Sequence, residues 1–223
     1  MRHAIVFDLD GTLVDSAPDI GAALSIVLEE AGGPGVDLPT VRDLIGDGAR
    51  TLVERALRQT GGPGDVGSLL RRFLLVYADH ACVQTRLYDG ARECLVALAE
   101  RGHPLAICTN KPLLHTRIIL DRLDLAGLFP VVVGGDSLPV KKPDPAPLLL
   151  ALRQLGVGHG VLVGDSGTDL GAARAAGLPC LLLRHGYSRV PVDELDADDW
   201  SDGFASLLPR LDRLCANLPM MAS

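Results

Sequence analysis

An α/β fold is what this sequence predicts: a doubly wound parallel sheet with an all-helical segment inserted after its first strand. Three observations carry that expectation. Short apolar runs recur at residues 4–7, 105–108, 131–133, 161–163 and 180–183, and near-continuous apolar strands are those of a parallel sheet covered on both faces. The stretches 90–101, 145–155 and 168–176 carry apolar residues at helical spacing, with Gly102, Gly156 and Gly177 near their ends, where glycine suits a helix terminus. Between residues 16 and 81 the alternation stops, and 22–28, 51–57 and 69–77 read as amphipathic helices joined by Gly/Pro-rich links at 32–35 and 61–64.

Taken in order, the first strand leads into FDLDGTL. Ser16 then suits the N-cap of the first inserted helix, with Ala17 and Pro18 in its opening turn and Asp19 three residues on. The chain rejoins the sheet near residue 82. The expected division is a Rossmann-like core of residues 1–15 and 82–223 around a helical cap of residues 16–81, with strand and helix alternating through the core.

The 223 residues are 48% hydrophobic and 22% charged, a globular composition with ample apolar material for a core. No apolar run approaches the ~20 residues of a membrane span, and the one at 4–7 is too short for a signal-peptide core. A soluble, cytoplasmic protein is expected, either a monomer or a homodimer. A formal charge of −7 without a Lys/Arg run speaks against nucleic acid or an anionic membrane as partner. Cys82, Cys94, Cys108, Cys180 and Cys215 form no CxxC pair, so neither a disulfide framework nor a zinc site is expected.

In a doubly wound sheet ligands bind past the carboxyl ends of the strands, and those positions are polar here. Asp8, Asp10 and Thr12 follow the first strand; Thr109, Asn110 and Lys111 the second; Lys141 and Lys142 the third and its turn; Asp165, Ser166 and Asp169 the fourth. Carboxylates with no His or Cys among them suit magnesium, which keeps water and phosphate oxygens in its remaining positions. Asp8 and Asp165 are the natural ligands, and the Thr109 hydroxyl and a lysine ammonium can hold the other oxygens of a phosphoryl group. If Asp8 points at the group, an extended residue two further on points the same way, and Gly11 lets the chain turn sharply. One carboxylate then serves as nucleophile, forming an aspartyl-phosphate, while Asp10 handles protons. Thr12 supports the loop.

The motifs DLDGT at 8–12, CTN at 108–110, KKPDP at 141–145 and VGDSGTD at 163–169 resemble, in order and spacing, the four signatures of the haloacid dehalogenase superfamily. The helical insertion is similar to the small cap of its first subclass, and the likeness covers nearly the whole chain. The resemblance implies Asp8 as nucleophile, Asp10 as general acid and base, and Thr109 and Lys142 as holders of the phosphate. It selects Lys142 over Lys141 because Lys142 directly precedes Pro143. It also implies magnesium bound by Asp8, the backbone carbonyl of Asp10, and Asp165, with Asp169 positioning the lysine or a metal-bound water.

Within the superfamily, the stretches at 43–57, 90–112, 131–136 and 184–188 are similar to bacterial phosphoglycolate phosphatases. Gly46 and Gly48, ahead of a helix, would offer backbone N–H groups to a substrate carboxylate, with Arg50 adding charge. That family usually reads IGNG where this chain has IGDG, so Asp47 brings an acid near an anionic substrate. The alternatives at this stage are a mutase of the β-phosphoglucomutase type, a phosphatase of another sugar phosphate or of pyrophosphate, and a receiver-like signalling module. Asn110 and Lys111 read equally well as substrate contacts or turn residues, and His185 and Tyr187 as packing residues.

Overall fold

The computed structural model describes residues 3–218. In chain order the elements are β1 (Ala4–Phe7), β2 (Val14–Asp15), α1 (Ala17–Glu30), α2 (Leu38–Leu44), α3 (Ala49–Thr60), α4 (Val66–His80), β3 (Arg86–Leu87), α5 (Ala91–Glu100), β4 (Leu105–Cys108), α6 (Leu113–Arg122), β5 (Val131–Val133), α7 (Ala146–Gln154), β6 (Gly160–Gly164), α8 (Gly167–Ala176), β7 (Cys180–Leu183), β8 (Asp199–Ser201) and α9 (Leu207–Ala216). Six strands form one parallel sheet in the order β5-β4-β1-β6-β7-β8. Phe7 in β1 lies opposite Ile107 on one side and Val163 on the other.

The period of two along each strand sorts its side chains onto two faces. Ile5, Phe7, Ile107, Val163 and Leu181 join α5, α6, α9 and the cap helices in one apolar cluster. Ala4, Val6, Cys108, Leu162 and Leu182 join α7 and α8 in the other. This is a doubly wound, Rossmann-like core with helices on both faces. The chain builds outward from β1 through β4 to β5, then crosses to β6 on the far side of β1. The switch point therefore lies at the carboxyl end of β1, where such a sheet opens a crevice.

Helices α1 to α4 pack on one another as the inserted cap. The two crossings between cap and core run side by side as the antiparallel ribbon β2–β3, with Val14 opposite Leu87 and Asp15 opposite Arg86. Ser16 stands at the N-cap position of α1 as expected, but it is in the α region and its side chain makes no capping bond; its hydroxyl is drawn to a carboxylate instead. Asp19 likewise does not close a capping box. Its carboxylate accepts from the backbone N–H groups of Val83, Gln84 and Thr85 at 2.8–3.0 Å and from the Thr85 hydroxyl at 2.7 Å, tying the start of the cap to its end. Among the described residues no helix is long and apolar enough to cross a membrane.

Candidate active site

Strand β1 ends at Phe7, and Asp8 and Asp10 follow with Leu9 buried between them. Gly11 then turns at φ +80°, where an added Cβ would stand 2.3 Å from Asp165 Oδ2, so only glycine fits. The carboxyl ends of β4 and β6 bring Thr109, Asn110 and Lys111, and Asp165, alongside. Lys142 arrives from the loop between β5 and α7.

The result is a buried charge cluster. Lys142 Nζ lies 3.2 Å from Asp8 Oδ1 and 2.6 Å from Asp169 Oδ1, and its side chain is 1% exposed. The other Asp169 oxygen accepts from the Ser166 amide and hydroxyl, at 3.1 and 2.7 Å, in a capping box at the start of α8. Asp165 accepts from the Thr12 hydroxyl at 3.1 Å and from the Tyr187 amide at 2.6 Å. Lys111 Nζ spans both oxygens of Asp10 at 2.9 and 3.0 Å, and the Ser16 hydroxyl donates to Asp10 Oδ1 at 2.5 Å. Asp8 and Asp10 thus have different partners, the one facing Lys142 and the other Lys111.

Burial sets the electrostatics. Loss of solvent pushes the Asp8 carboxyl up to about 6; the nearby Asp169 and Asp10 charges add to the rise, and Lys142 and Thr109 oppose it. Burial, followed by Asp169 and Asp8, carries Asp165 well above the usual carboxylate range. Burial alone would lower the Lys142 ammonium, but Asp169 and Asp8 outweigh it and hold it above its ordinary value. With all four ionised, Asp8, Asp10, Asp165 and Asp169 carry two more negative charges than Lys111 and Lys142, the ammonium groups paired with them among the described residues, neutralise.

Carboxylate oxygens of Asp8, Asp165 and Asp169 lie within 4.8 Å of one another. An all-oxygen donor set with a deficit of two positive charges fits a hard divalent cation. Asp8, Asp165 and Asp169 are the side chains that could hold such an ion, Asp169 being the one bound closest by Lys142, at 2.6 Å. Such an ion supplies charge neutralisation for a phosphoryl group.

The cavity over these groups is small, about 50 Å³, room for roughly three to five water-sized groups at ~10–15 Å³ each. Its floor is Asp8, Asp10, Thr109, Asn110 and Lys111; its roof is Ile20, Ile45, Gly46, Gly48, Leu52, Phe73 and Tyr77 from the cap. Asn110 Nδ2 donates to the carbonyls of Gly46 at 3.0 Å and Lys142 at 2.9 Å, joining cap loop to core. Gly48 has φ +89°, and a Cβ there would meet Lys141 Nζ at 3.0 Å and the Asn110 carbonyl at 3.1 Å.

Arg50 departs from expectation. It does not line the cavity; its side chain is 58% exposed and lies 3.7 Å from Glu54 one turn along α3, whose N-cap is Gly48. Asp47 also faces away from the cavity, where Arg55 at 2.5 Å and Arg189 at 3.2 Å compensate its charge. His185 and Tyr187 support the loops from behind: His185 bonds the Thr12 carbonyl at 3.1 Å, and the Tyr187 hydroxyl donates to Asp15 at 2.6 Å.

Sequence reasoning left Lys111 open between substrate contact and turn residue, and Ser16 and Tyr77 outside the site. Lys111 is buried, with its ammonium 4.6 Å from the centre of the Tyr77 ring. Its one sequence signal was its place directly after Thr109 and Asn110. Tyr77 had been legible only as an apolar position of a cap helix.

Residues 5–183 match the family model for haloacid dehalogenase-like hydrolases. The chain is 44% identical to a phosphoglycolate phosphatase of Rhodospirillum rubrum over 93% of this chain and 90% of that one. It is 42% identical to one of Cereibacter sphaeroides over 86% and 89%. Among solved structures, a protein of Haemophilus somnus described as a predicted phosphoglycolate phosphatase superposes with a TM-score of 0.87 at 34% identity, covering 94% of this chain and 97% of that one. CbbY of Rhodobacter sphaeroides, solved in complex with phosphate, superposes at 0.82 with 28% identity, covering 95% and 100%. Motifs, fold and buried carboxylate cluster agree with these matches, and the chain belongs to the haloacid dehalogenase-like hydrolases.

Proposed function

We propose that the protein is a magnesium-dependent phosphatase that hydrolyses 2-phosphoglycolate to glycolate and phosphate through an aspartyl-phosphate on Asp8. The observation that carries this reading is the separation of roles at the end of β1, with Asp8 against Lys142 and Asp10 against Lys111 and Ser16. An Asp8 oxygen attacks phosphorus, the ester P–O bond breaks, and Asp10 gives its proton to the leaving alkoxide. Asp10 then takes a proton from water, whose oxygen attacks phosphorus and returns Asp8 as a carboxylate. Thr109 and Lys142 hold the other phosphoryl oxygens, and the cap excludes bulk water from the step. Magnesium, held by Asp8, Asp165 and the Asp10 carbonyl, supplies the balancing positive charge.

Two features support a small acidic substrate. The loop at Gly46–Gly48 roofs the cavity, and Lys111 is the one cation of its lining among the described residues. Relatives of 42–44% identity bear the name phosphoglycolate phosphatase. A second reading, a sugar phosphate, draws support from CbbY, whose structure has also been solved with xylulose-(1,5)bisphosphate at 27% identity.

Phosphate release from 2-phosphoglycolate, xylulose 1,5-bisphosphate, glucose 1-phosphate and pyrophosphate, with and without magnesium, tests the reading. Turnover of 2-phosphoglycolate at least tenfold above the others in kcat/KM is expected. Faster turnover of a sugar phosphate, or isomerisation of a phosphosugar without phosphate release, overturns the assignment.

A further inference from the structure

The segment that roofs the cavity, residues 43–48 at the end of α2 and in the loop after it, is held from the core by Asn110 and Thr168 and, at the most points, by Arg189. Arg189 lies in the segment after β7, outside the cap. Its Nε donates to the Asp43 carbonyl at 2.6 Å, one terminal nitrogen donates to the Ile45 carbonyl at 3.1 Å, and both terminal nitrogens reach Asp47 Oδ2 at 3.2 Å. The planar fork of a guanidinium is suited to such a set, whereas an ammonium is a point charge on a flexible stem. The other Asp47 oxygen accepts from the Thr168 hydroxyl at 3.2 Å, near the start of α8. Arg55, from the cap itself, also pairs with Asp47 Oδ2.

Two core elements therefore meet on one cap carboxylate, and both flank the candidate active site. Thr168 belongs to the same turn as Asp165 and Asp169, and Arg189 follows Tyr187, whose amide holds Asp165. The gripped loop carries Ile45, Gly46 and Gly48, which roof the cavity. Opening the cap must break the core-to-cap bonds among these together, because they converge on residues 43–47.

We infer that Arg189 is a positioning residue: acting through Asp47 and the loop carbonyls, it sets the Gly46–Gly48 backbone over the phosphoryl site and thereby governs closure over a small anionic ester. The kinetic part of this inference rests on the proposed phosphatase reading; its structural part does not.

The test uses Arg189→Ala, Arg189→Lys, Asp47→Asn and the double variant Arg189→Ala/Asp47→Asn in the full chain, with hydrogen exchange and steady-state kinetics. Amides of residues 43–48 should exchange at least tenfold faster in Arg189→Ala than in the parent, while those of α7, remote from the clasp, stay unchanged. That result is readable whatever the substrate proves to be. KM for 2-phosphoglycolate should rise about tenfold, more than kcat falls, and Arg189→Lys should recover little of the loss. The double variant should lose less than the sum of the two single variants, since Arg189 acts in part through Asp47. Unchanged exchange at 43–48, or additive losses in the double variant, overturns the inference. Faster exchange without turnover of 2-phosphoglycolate by the parent protein would leave the clasp standing and remove the phosphatase assignment.

Discussion

Asp8 and Asp10 stand two residues apart on one loop and differ in what surrounds them. Asp8 faces Lys142, whereas Asp10 accepts from Ser16 and Lys111. Asp8→Asn should lower turnover by about 10⁶-fold, the order seen when a covalent nucleophile is removed; near-normal activity at saturating magnesium would end the aspartyl-phosphate scheme. Lys111→Met removes the cavity's own cation. Because Lys111 also holds Asp10, turnover of every ester should fall, but kcat/KM for 2-phosphoglycolate should fall at least tenfold further than for ethyl phosphate, which lacks the carboxylate. Equal losses on both esters would assign Lys111 to Asp10 alone. Gly11 has no substitute: Ala at φ +80° carries a backbone cost of about 1–3 kcal/mol before the contact with Asp165 is counted, measurable as a fall in urea midpoint.

Helix α4 from the cap and helix α6 from the core meet through His115, which is buried, stacks on Tyr77 with ring centres 5.3 Å apart and donates from Nε2 to the Leu74 carbonyl at 2.9 Å. Burial lowers the His115 pKa below its ordinary 6.5, and burial lowers that of His185 in the same way. A lowered folded-state value means that the unfolded chain takes up the proton first. Stability is then complete above about pH 6.5 and is lost as pH falls from there toward the folded-state values. Asp8 and Asp165, raised in the folded state, take up protons over the same range and oppose this contribution, so chemical denaturation between pH 8 and pH 5 reads the His115 share as the difference in slope between the parent and His115→Gln. An identical slope in the variant would show that His115 does not titrate on unfolding. The pattern of apolar residues could not reveal this link, since in the sequence His115 is one polar residue with no ligand spacing.

At the scale of the molecule, four carboxylates and two ammonium groups are enclosed where the strand order reverses. Carboxylates held above their usual range by burial and by one another cost free energy that a bound cation recovers. Magnesium at 100 times its dissociation constant should stabilise the protein by about 2.7 kcal/mol, roughly 5–10 °C in Tm for a chain of this size. The shift should vanish in Asp165→Asn. Calorimetry with and without EDTA reads it independently of any substrate, and an equal shift in the variant would place the cation elsewhere.

Much of this was legible in the chain itself. Five of the six sheet strands announced themselves as apolar runs, because strands buried on both faces need apolar side chains at every position. The four polar clusters past their ends marked the site, because backbone turns put the chemistry where the sheet stops. Strand β8, DWS, escaped because an edge strand of three residues has too little buried surface to show a pattern. The ribbon β2–β3, two residues on each side, escaped for the same reason. Helix α2 is held by Asp37 accepting from the Thr40 amide, a local signal too short for periodicity to register. What only the tertiary structure decided were pairings between distant residues: Ser16 with Asp10 rather than its own helix, Asp47 with Arg189 rather than substrate, Arg50 with solvent, and Lys111 with Asp10 and Tyr77. Local propensity ranks conformations of a few neighbouring residues. Which charge neutralises which depends on the packing of the cap against the core, and that is settled across the whole chain.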